Sequence, residues 1–235
     1  CNMLSNKSFL AVIPARGGSK RLPQKNRLPM GGRPLIQWTI DAALQSQYID
    51  EIVVSSDDGE LLGIAQTSGV VAQRRPDVLA SDTASSADCA SYVIDSLAAH
   101  YDYLVLLQPS SPFRVAEDID NAIEQLVELQ ATAVISVTET EHSPLWVNTL
   151  PENHSLNGFM SSVVNGSRSQ DLPTYYRLNG AIYIVETELF KHNKQFFQDQ
   201  AYAYIMPQIR SVDIDTQLDL IYAESVYQYQ LLSSN

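Results

Sequence analysis

The chain has 235 residues, 45% hydrophobic and 18% charged, with 15 Lys and Arg against 27 Asp and Glu for a net charge of −12. This composition fits one large globular domain with room for a small appended segment, and excludes disorder, a collagen-like chain and a disulfide mini-scaffold. It also argues against general nucleic-acid binding, because each phosphate contact needs Lys or Arg and the rest of this surface would repel a polyanion.

The charge is uneven. Residues 1–40 hold seven bases (Lys7, Arg16, Lys20, Arg21, Lys25, Arg27, Arg33) and no carboxylate, or +7, while the remaining 195 residues carry −19. A local basic loop on an acidic body points to a small anionic ligand held at one place. The apolar run at residues 9–15 is short and broken by Pro14, so it fits neither a secretory signal core nor a membrane span. The expectation is a cytoplasmic protein without membrane or nucleic-acid partners. Cys1 and Cys89 make no disulfide framework, and His100, His142, His154 and His192 lack zinc-ligand spacing.

Short β-rich runs alternate with helical patterns, which predicts an α/β fold with a mainly parallel sheet. Residues 9–14 read as the first strand, followed by a polar loop over 15–32. Pro34 sits at a helix start, with Leu35, Ile36, Trp38, Thr39, Ala42 and Ala43 on its apolar face. A strand over 51–55 ends in Ser56-Asp57-Asp58, a capping cluster for a helix over 60–67, and 70–72 reads as a short strand. Hydroxyls at residues 83–86 cap a helix through Leu97. A strand over 103–107, a helix over 116–129 and a strand over 133–137 follow. From 139 to 176 the alternation fails among Pro144, Pro151, Pro173 and several Asn and Ser, so this stretch reads as an excursion from the sheet. Strands over 180–185 and 201–205 and a closing helix over 216–231 complete the chain. In such sheets ligands collect at the carboxyl ends of the strands, where the basic loop also lies.

That loop, Arg16-Gly-Gly-Ser-Lys20, directly follows the first strand. Its glycines let backbone amides approach an anion, and Arg16, Lys20 and Lys25 supply counter-charge. GxxxxGK[ST] and GxGxxG are both absent, so neither a P-loop ATPase nor a dinucleotide-binding enzyme is supported. GxSxG is absent too, so no covalent serine intermediate is required.

The run Ile13-Pro-Ala-Arg-Gly-Gly-Ser-Lys20 with Leu22-Pro-Gln-Lys-Asn26 resembles the signature of the acylneuraminate cytidylyltransferases, also called CMP-sialic acid synthetases. The similarity continues in Arg75-Pro76, in Leu79-Ala-Ser-Asp-Thr-Ala-Ser-Ser86 and in Leu106-Leu-Gln-Pro-Ser-Ser-Pro-Phe-Arg114. It resumes in Glu141-His-Ser-Pro144, Arg177-Leu-Asn-Gly-Ala-Ile-Tyr183 and Val212-Asp-Ile-Asp-Thr-Gln-Leu-Asp219. These blocks lie in order from residue 9 to about 225.

The resemblance implies a Rossmann-like nucleotidyltransferase sandwich, formed by 8–138 and 177–231, with 139–176 inserted as a dimerisation segment of a homodimer. The implied reaction joins CTP to a nine-carbon 2-keto sugar acid, giving the CMP-sugar and pyrophosphate with Mg²⁺. By analogy Arg16 and Lys25, with Gly17 and Lys20 in the same loop, hold the triphosphate, while Ala15, Asn26, Arg75 and Ser86 read cytosine and ribose. Gln108, Asn179 and Tyr183 line the sugar pocket, Phe196 and Phe197 face the sugar's acyl group, and Asp213 and Asp215 carry the metal. Arg16, Lys25 and Asp215 are the residues on which turnover should depend.

Several of these positions have simpler readings. Asp213-Ile-Asp215 puts two carboxylates on one face of an extended segment, as a hard cation needs, but Asp-x-Asp before a helix is also a capping pattern. Asp57-Asp58 reads better as capping than as metal ligation, Ser85-Ser86 as capping hydroxyls first, and Arg75 beside Arg74 as either a solvated pair or a ligand-facing residue. Asn179-Gly180 fits a turn, Tyr183 a core position, and Phe196-Phe197 either core or a rim reaching a partner. Gln108, a polar amide at the end of an apolar strand, is poorly explained by packing.

One departure concerns Trp146, near where some sialic-acid synthetases have a lysine that helps bind the anionic sugar. An indole packs but cannot neutralise a carboxylate. Arg168 and Arg177 are candidates to replace that charge. Alternatively the tryptophan marks a legionaminate-type or pseudaminate-type substrate within the same chemistry. From another class, a nucleotide-sugar-binding regulator without turnover is the rival. The eight-carbon Kdo transferases differ in their N-terminal loop and fit less well.

Overall fold

The computed structural model of the chain describes residues 6–81, 84–160 and 172–233. Strand β1 (Phe9–Pro14) runs through the middle of a seven-stranded sheet. The others are β4 (Glu51–Ser56), β5 (Val71–Arg74), β6 (Tyr103–Leu106), β7 (Ala133–Glu139), β8 (Tyr176–Glu186) and β9 (Ala201–Ile205), in the order β5-β4-β1-β6-β8-β7-β9. All neighbours pair in parallel except β8, which is antiparallel to both β6 and β7.

Alternation along β1 shows how the sheet divides the core. Phe9, Ala11 and Ile13 pack on one face with Ile36, Leu61 and Ile119. Leu10 and Val12 pack on the other with Ala90, Val93 and Phe190. Helices α1 (Leu35–Gln45), α2 (Gly59–Thr67) and α4 (Ala116–Glu128) therefore cover the first face, and α3 (Ser86–Ser96) and α5 (Thr187–Asn193) the second. In α4, Ile119, Ala122, Ile123 and Leu126 fall at the i, i+3, i+4, i+7 spacing of one helical face, and all are fully buried. Helix α6 (Gln217–Ser233) joins a third cluster, where Ala223 and Val226 meet Leu22, Met30, Leu35, Phe113, Val212 and Ile214. The result is a Rossmann-like three-layer α/β sandwich.

The predicted elements are present, with three differences. A two-residue-per-strand hairpin, β2 (Pro29–Met30) with β3 (Arg33–Pro34), closes the polar loop, tied through Gly31 to Glu224 of α6 at 2.8 Å. Helix α5, seven residues long, is too short to show periodicity in sequence. Strand β8 is longer than expected, because it begins at Tyr176 and passes through a register shift opposite Ile135–Val137. Between 140 and 175, the described residues form no strand or α-helix, only a 3-10 turn at Pro144–Trp146. No helix among the described residues is long and apolar enough to cross a membrane.

Candidate active site

The carboxyl ends of β1, β5 and β6 converge on a cleft of about 430 Å³. The basic loop forms one wall with Arg16, Lys20, Arg21, Lys25 and Asn26; Arg75, Ser85 and Ser86 form another; Gln108, Pro109, Ser110 and Asp215 close the far side. Residues more than 190 positions apart in sequence are thus gathered because parallel strands all deliver their carboxyl ends to the same edge.

The basic loop is shaped by the two acids after β4. Gly17 N–H donates to Asp57 Oδ1 at 2.9 Å, so this amide is already taken and does not point to an anion. Asp58 caps α2, accepting from Glu60 N at 2.8 Å and Leu61 N at 3.2 Å, and also pairs with Arg27 at 3.5 Å. A side chain at Gly17 would strike Asp58 Cβ and Oδ2 at 2.8 Å, so only glycine lets the loop lie against this cap. Asn26, 7% exposed, donates from Nδ2 to Arg16 O at 3.0 Å and pins the loop's two ends together. Ala15 is buried and its N–H donates to Ser55 O at 3.0 Å, so its amide serves the sheet.

Arg75 presents a buried donor to the cleft. It bonds Leu79 O through Nη1 at 3.2 Å, while its Nε is buried without a protein partner. A donor in that condition is costly unless something fills the cleft beside it. Ser85 caps α3 by exchanging bonds with Asp88, which leaves Ser86, at the first turn, on the cleft wall.

Asp213 and Asp215 flank Ile214, which is fully buried in the third cluster, so both carboxylates point away from that core. Neither caps α6. That role belongs to Thr216 and Asp219, which exchange bonds at 3.3 Å (Asp219 N to Thr216 Oγ1) and 2.8 Å (Thr216 N to Asp219). Asp215 instead accepts from Lys25 Nζ at 2.9 Å and from Arg21 Nη2 at 2.8 Å. Ser110 lies beside this segment, its carbonyl accepting from Ile214 N at 2.9 Å. Desolvation pushes the Asp213 carboxyl above the usual carboxylate range. The Ser110 side chain and Lys25 oppose this, and the charges of Asp215 and Asp219 add to it. Two carboxylates with oxygen ligands only, one of them with its pKa raised chiefly by desolvation, fit a hard divalent cation. Among the described residues no cluster of three or more metal-ligating side chains occurs, so such a cation would take its other ligands from water or substrate.

The residues expected around the sugar divide. Gln108 lines the cleft, with its Nε2 3.6 Å from where a side chain at Gly180 would begin. Asn179 does not face the cleft. It is 2% exposed, accepts from Ser136 Oγ at 2.6 Å and Ala181 N at 3.2 Å, and donates to Ser211 Oγ at 3.0 Å. Both ends of its amide are occupied, so it holds the irregular stretch of β8 against β7 and the segment leading to Asp213. Tyr183 packs on Phe196 with ring centroids 5.2 Å apart, and Phe196 packs in turn on Phe190 at 5.0 Å. Burial raises the Tyr183 hydroxyl's pKa above its ordinary value, and the Asp213 charge adds to the rise. Phe196 therefore belongs to this chain's own core, whereas Phe197 is 59% exposed. Arg177 forms a bidentate pair with Glu141 at 3.0 and 2.6 Å, and that bond raises the guanidinium's pKa. The charge it was expected to offer a sugar is thus engaged. Arg168 lies outside the described residues.

The model of the family described as cytidylyltransferase matches residues 10–235. The chain belongs to the cytidylyltransferase family. Among curated relatives, this cytidylyltransferase is 37% identical to a CMP-N,N'-diacetyllegionaminic acid synthase of Legionella pneumophila, over 94% of this chain and 96% of that one. It is 34% identical to an N-acylneuraminate cytidylyltransferase of Escherichia coli over 94% of this chain, although the match spans only 52% of that longer protein. Its fold is that of a solved CMP:2-keto-3-deoxy-manno-octonic acid synthetase complexed with CTP, at a TM-score of 0.72 and 18% identity, covering 95% of this chain and 99% of that one.

Sequence reasoning missed Arg21, Asp57, Ser110 and Arg114 as contributors to this region. Ser110 and Arg114 lie inside the Leu106–Arg114 motif, but what they bind depends on segments that meet only in three dimensions.

Proposed function

We propose that this cytidylyltransferase transfers CMP from CTP to the anomeric hydroxyl of a nine-carbon 2-keto sugar acid, releasing pyrophosphate. The observation that carries the reading is the cleft itself. Cations of the β1 loop line it, two of them, Lys25 and Arg21, paired with the Asp215 carboxylate, and the space is bounded by the unpartnered Nε of Arg75 and the Gln108 amide.

In this reading Arg16, Lys20 and Lys25 hold the triphosphate, and Asn26, Arg75 and Ser86 the cytidine. Gln108 orients the sugar. The sugar hydroxyl oxygen bonds to the α-phosphorus as the bond to the leaving pyrophosphate breaks, and the hydroxyl proton passes to solvent water. Charge builds on the non-bridging and leaving oxygens, so catalysis rests on positioning and on cations held in place beforehand. Asp213 and Asp215 would hold Mg²⁺, which when bound supplies positive charge to the triphosphate. Residues 139–176 and the exposed Phe197 are proposed as parts of a homodimer interface, with Phe197 entering the partner's sugar pocket.

Within this chemistry, the N-acylneuraminates and the di-N-acyl nonulosonates, legionaminate and pseudaminate, are alternatives. The Arg177–Glu141 pair and the half-buried Trp146 favour the second group, because both make the sugar side less cationic and more apolar. The experiment is pyrophosphate release from CTP and Mg²⁺ with a panel of N-acetylneuraminate, legionaminate and pseudaminate. Release with one of them supports transfer and names the sugar; CTP binding without release from any of them favours the non-catalytic regulator.

A further inference from the structure

Behind the cleft lies a buried cation that the proposed chemistry leaves without a role. Arg114 is 1% exposed, and burial lowers its guanidinium's pKa to about 10. The acid whose charge it feels, Asp118, is itself held bidentately by Arg210 at 2.8 and 2.9 Å. Packing does not explain such a residue, since a methionine would fill much the same space without the cost of desolvating a charge.

Its hydrogen bonds do explain it. The ladder between β6 and β8 ends at Leu106 opposite Tyr183. Two residues further along each strand lie Gln108 and Ala181, where the strands part to open the cleft. Arg114 takes the carbonyls of both: Nη2 donates to Gln108 O at 2.9 Å and Nε to Ala181 O at 3.1 Å. Nη2 also donates to the buried Thr39 hydroxyl of α1 at 3.2 Å, and that hydroxyl lies 3.5 Å from the same Gln108 carbonyl. One planar fork thus replaces the missing ladder bonds and fixes how far the strands separate. A lysine ammonium is a single point and cannot reproduce that two-strand geometry. Beside the fork, Gly180 has φ +74°, a left-handed conformation that favours glycine, and its Cα lies next to the Gln108 amide.

We infer that Arg114, seated by Thr39, is a positioning residue that sets the aim of Gln108 toward the sugar acid. The inference rests on the proposed transfer reaction for its kinetic readout. Of the groups it holds, Gln108 is the one that lines the cleft, so its effect should fall on the sugar rather than on CTP.

The test compares Arg114→Lys, Thr39→Val and Thr39→Ser with the parent enzyme, measuring KM for sugar and for CTP separately, together with kcat and Tm. Thr39→Val removes one bond to the fork without touching the cleft, and loss of one hydrogen bond corresponds to about five-fold. Thr39→Val is expected to raise the sugar KM about five-fold with the CTP KM within about two-fold, Arg114→Lys to raise it by at least about ten-fold, and Thr39→Ser to restore parental values. A fall in Tm with both KM values unchanged or shifted together means a merely structural role and overturns the inference. A second readout needs no turnover: the Gln108 side-chain amide resonances should move in Thr39→Val and stay in Thr39→Ser. Unmoved resonances overturn the inference as well. A parent enzyme that releases no pyrophosphate counts against the transfer reading, while the resonances still decide the role of Arg114.

Discussion

Lys25 Nζ lies 2.9 Å from Asp215 Oδ1, joining the basic loop to the carboxylate segment across 190 residues of sequence. Arg21 closes on the other oxygen at 2.8 Å. The same carboxylate is proposed to bind a cation and the same lysine to bind the triphosphate, so the pair must exchange partners when substrate enters. Asp215 is 38% exposed, and such a pair contributes only about 0.2–1 kcal/mol to stability.

Lys25→Ala should therefore separate stability from turnover. The expected Tm change is small, whereas loss of one preorganised charge at a reacting phosphate lowers turnover by roughly 10²–10³. Pyrophosphate release and thermal melting on the same preparation check both halves. Asp215→Asn should behave likewise. If the two residues act on one bound complex, the double variant should lose much less than the product of the single losses.

Asp213 gives a prediction with a sign. Its folded carboxyl is held above the ordinary value, first by desolvation and then by Asp215 and Asp219 against the opposing Ser110 side chain and Lys25. A carboxyl raised on folding favours the folded state below its unfolded pKa, and that contribution is lost as pH rises through the folded pKa. At neutral pH the charge of Asp213 is thus a burden on the ligand-free fold. Asp213→Asn should melt higher than the parent at neutral pH, and the gap should close as the pH is lowered into the carboxylate range. In the same variant Mg²⁺-dependent pyrophosphate release should be lost. A lower neutral Tm in the variant would contradict this assignment of the strain.

Much of this site is legible in one dimension, and the rest is not, for identifiable reasons. The β1 loop, Arg75, Ser86 and Gln108 stand out because bases with no acid near them in sequence, or a lone amide at a strand end, have no packing explanation. The i, i+2 spacing of Asp213 and Asp215 predicts a shared face for them, and Ile214 between them is buried in the third cluster. Asn179 is misleading because an Asn before a Gly also suits the interior of an irregular strand, where Ser136, Ser211 and Ala181 N complete its amide. Nothing local in Phe196 says that Phe190 and Tyr183 wait beneath it. Pairings such as Arg114 with Gln108 and Ala181 depend on where two strands diverge, which no spacing encodes.

The two loop glycines make a paired test. A methyl at Gly17 would meet Asp58 at 2.8 Å, whereas one at Gly18 meets nothing within 4 Å. Gly17→Ala must push the loop off the α2 cap, at about 1–3 kcal/mol as for other overpacked sites. Its Tm should fall and its CTP KM should rise. Gly18→Ala should keep the parental Tm, so any rise in its CTP KM reports the approach of the anion alone. Equal Tm values for the two variants would show that the loop does not rest on Asp58.

Phe196 and Phe197 are adjacent but face different tasks. Phe196 is wedged between Phe190 and Tyr183, and its truncation to Ala leaves a hole in the second core cluster. The expected cost approaches the roughly 3–5 kcal/mol of a buried Phe→Ala change, reduced because Phe196 is only partly buried. Phe197, 59% exposed, touches no such cluster, so Phe197→Ala should leave the Tm of the isolated chain unchanged. If a second copy receives it, the same variant raises the sugar KM while the CTP KM holds, and light scattering at assay concentration finds two chains in the parent. A monomeric parent with full activity would confine the sugar site to one chain and leave Phe197 without a role in it.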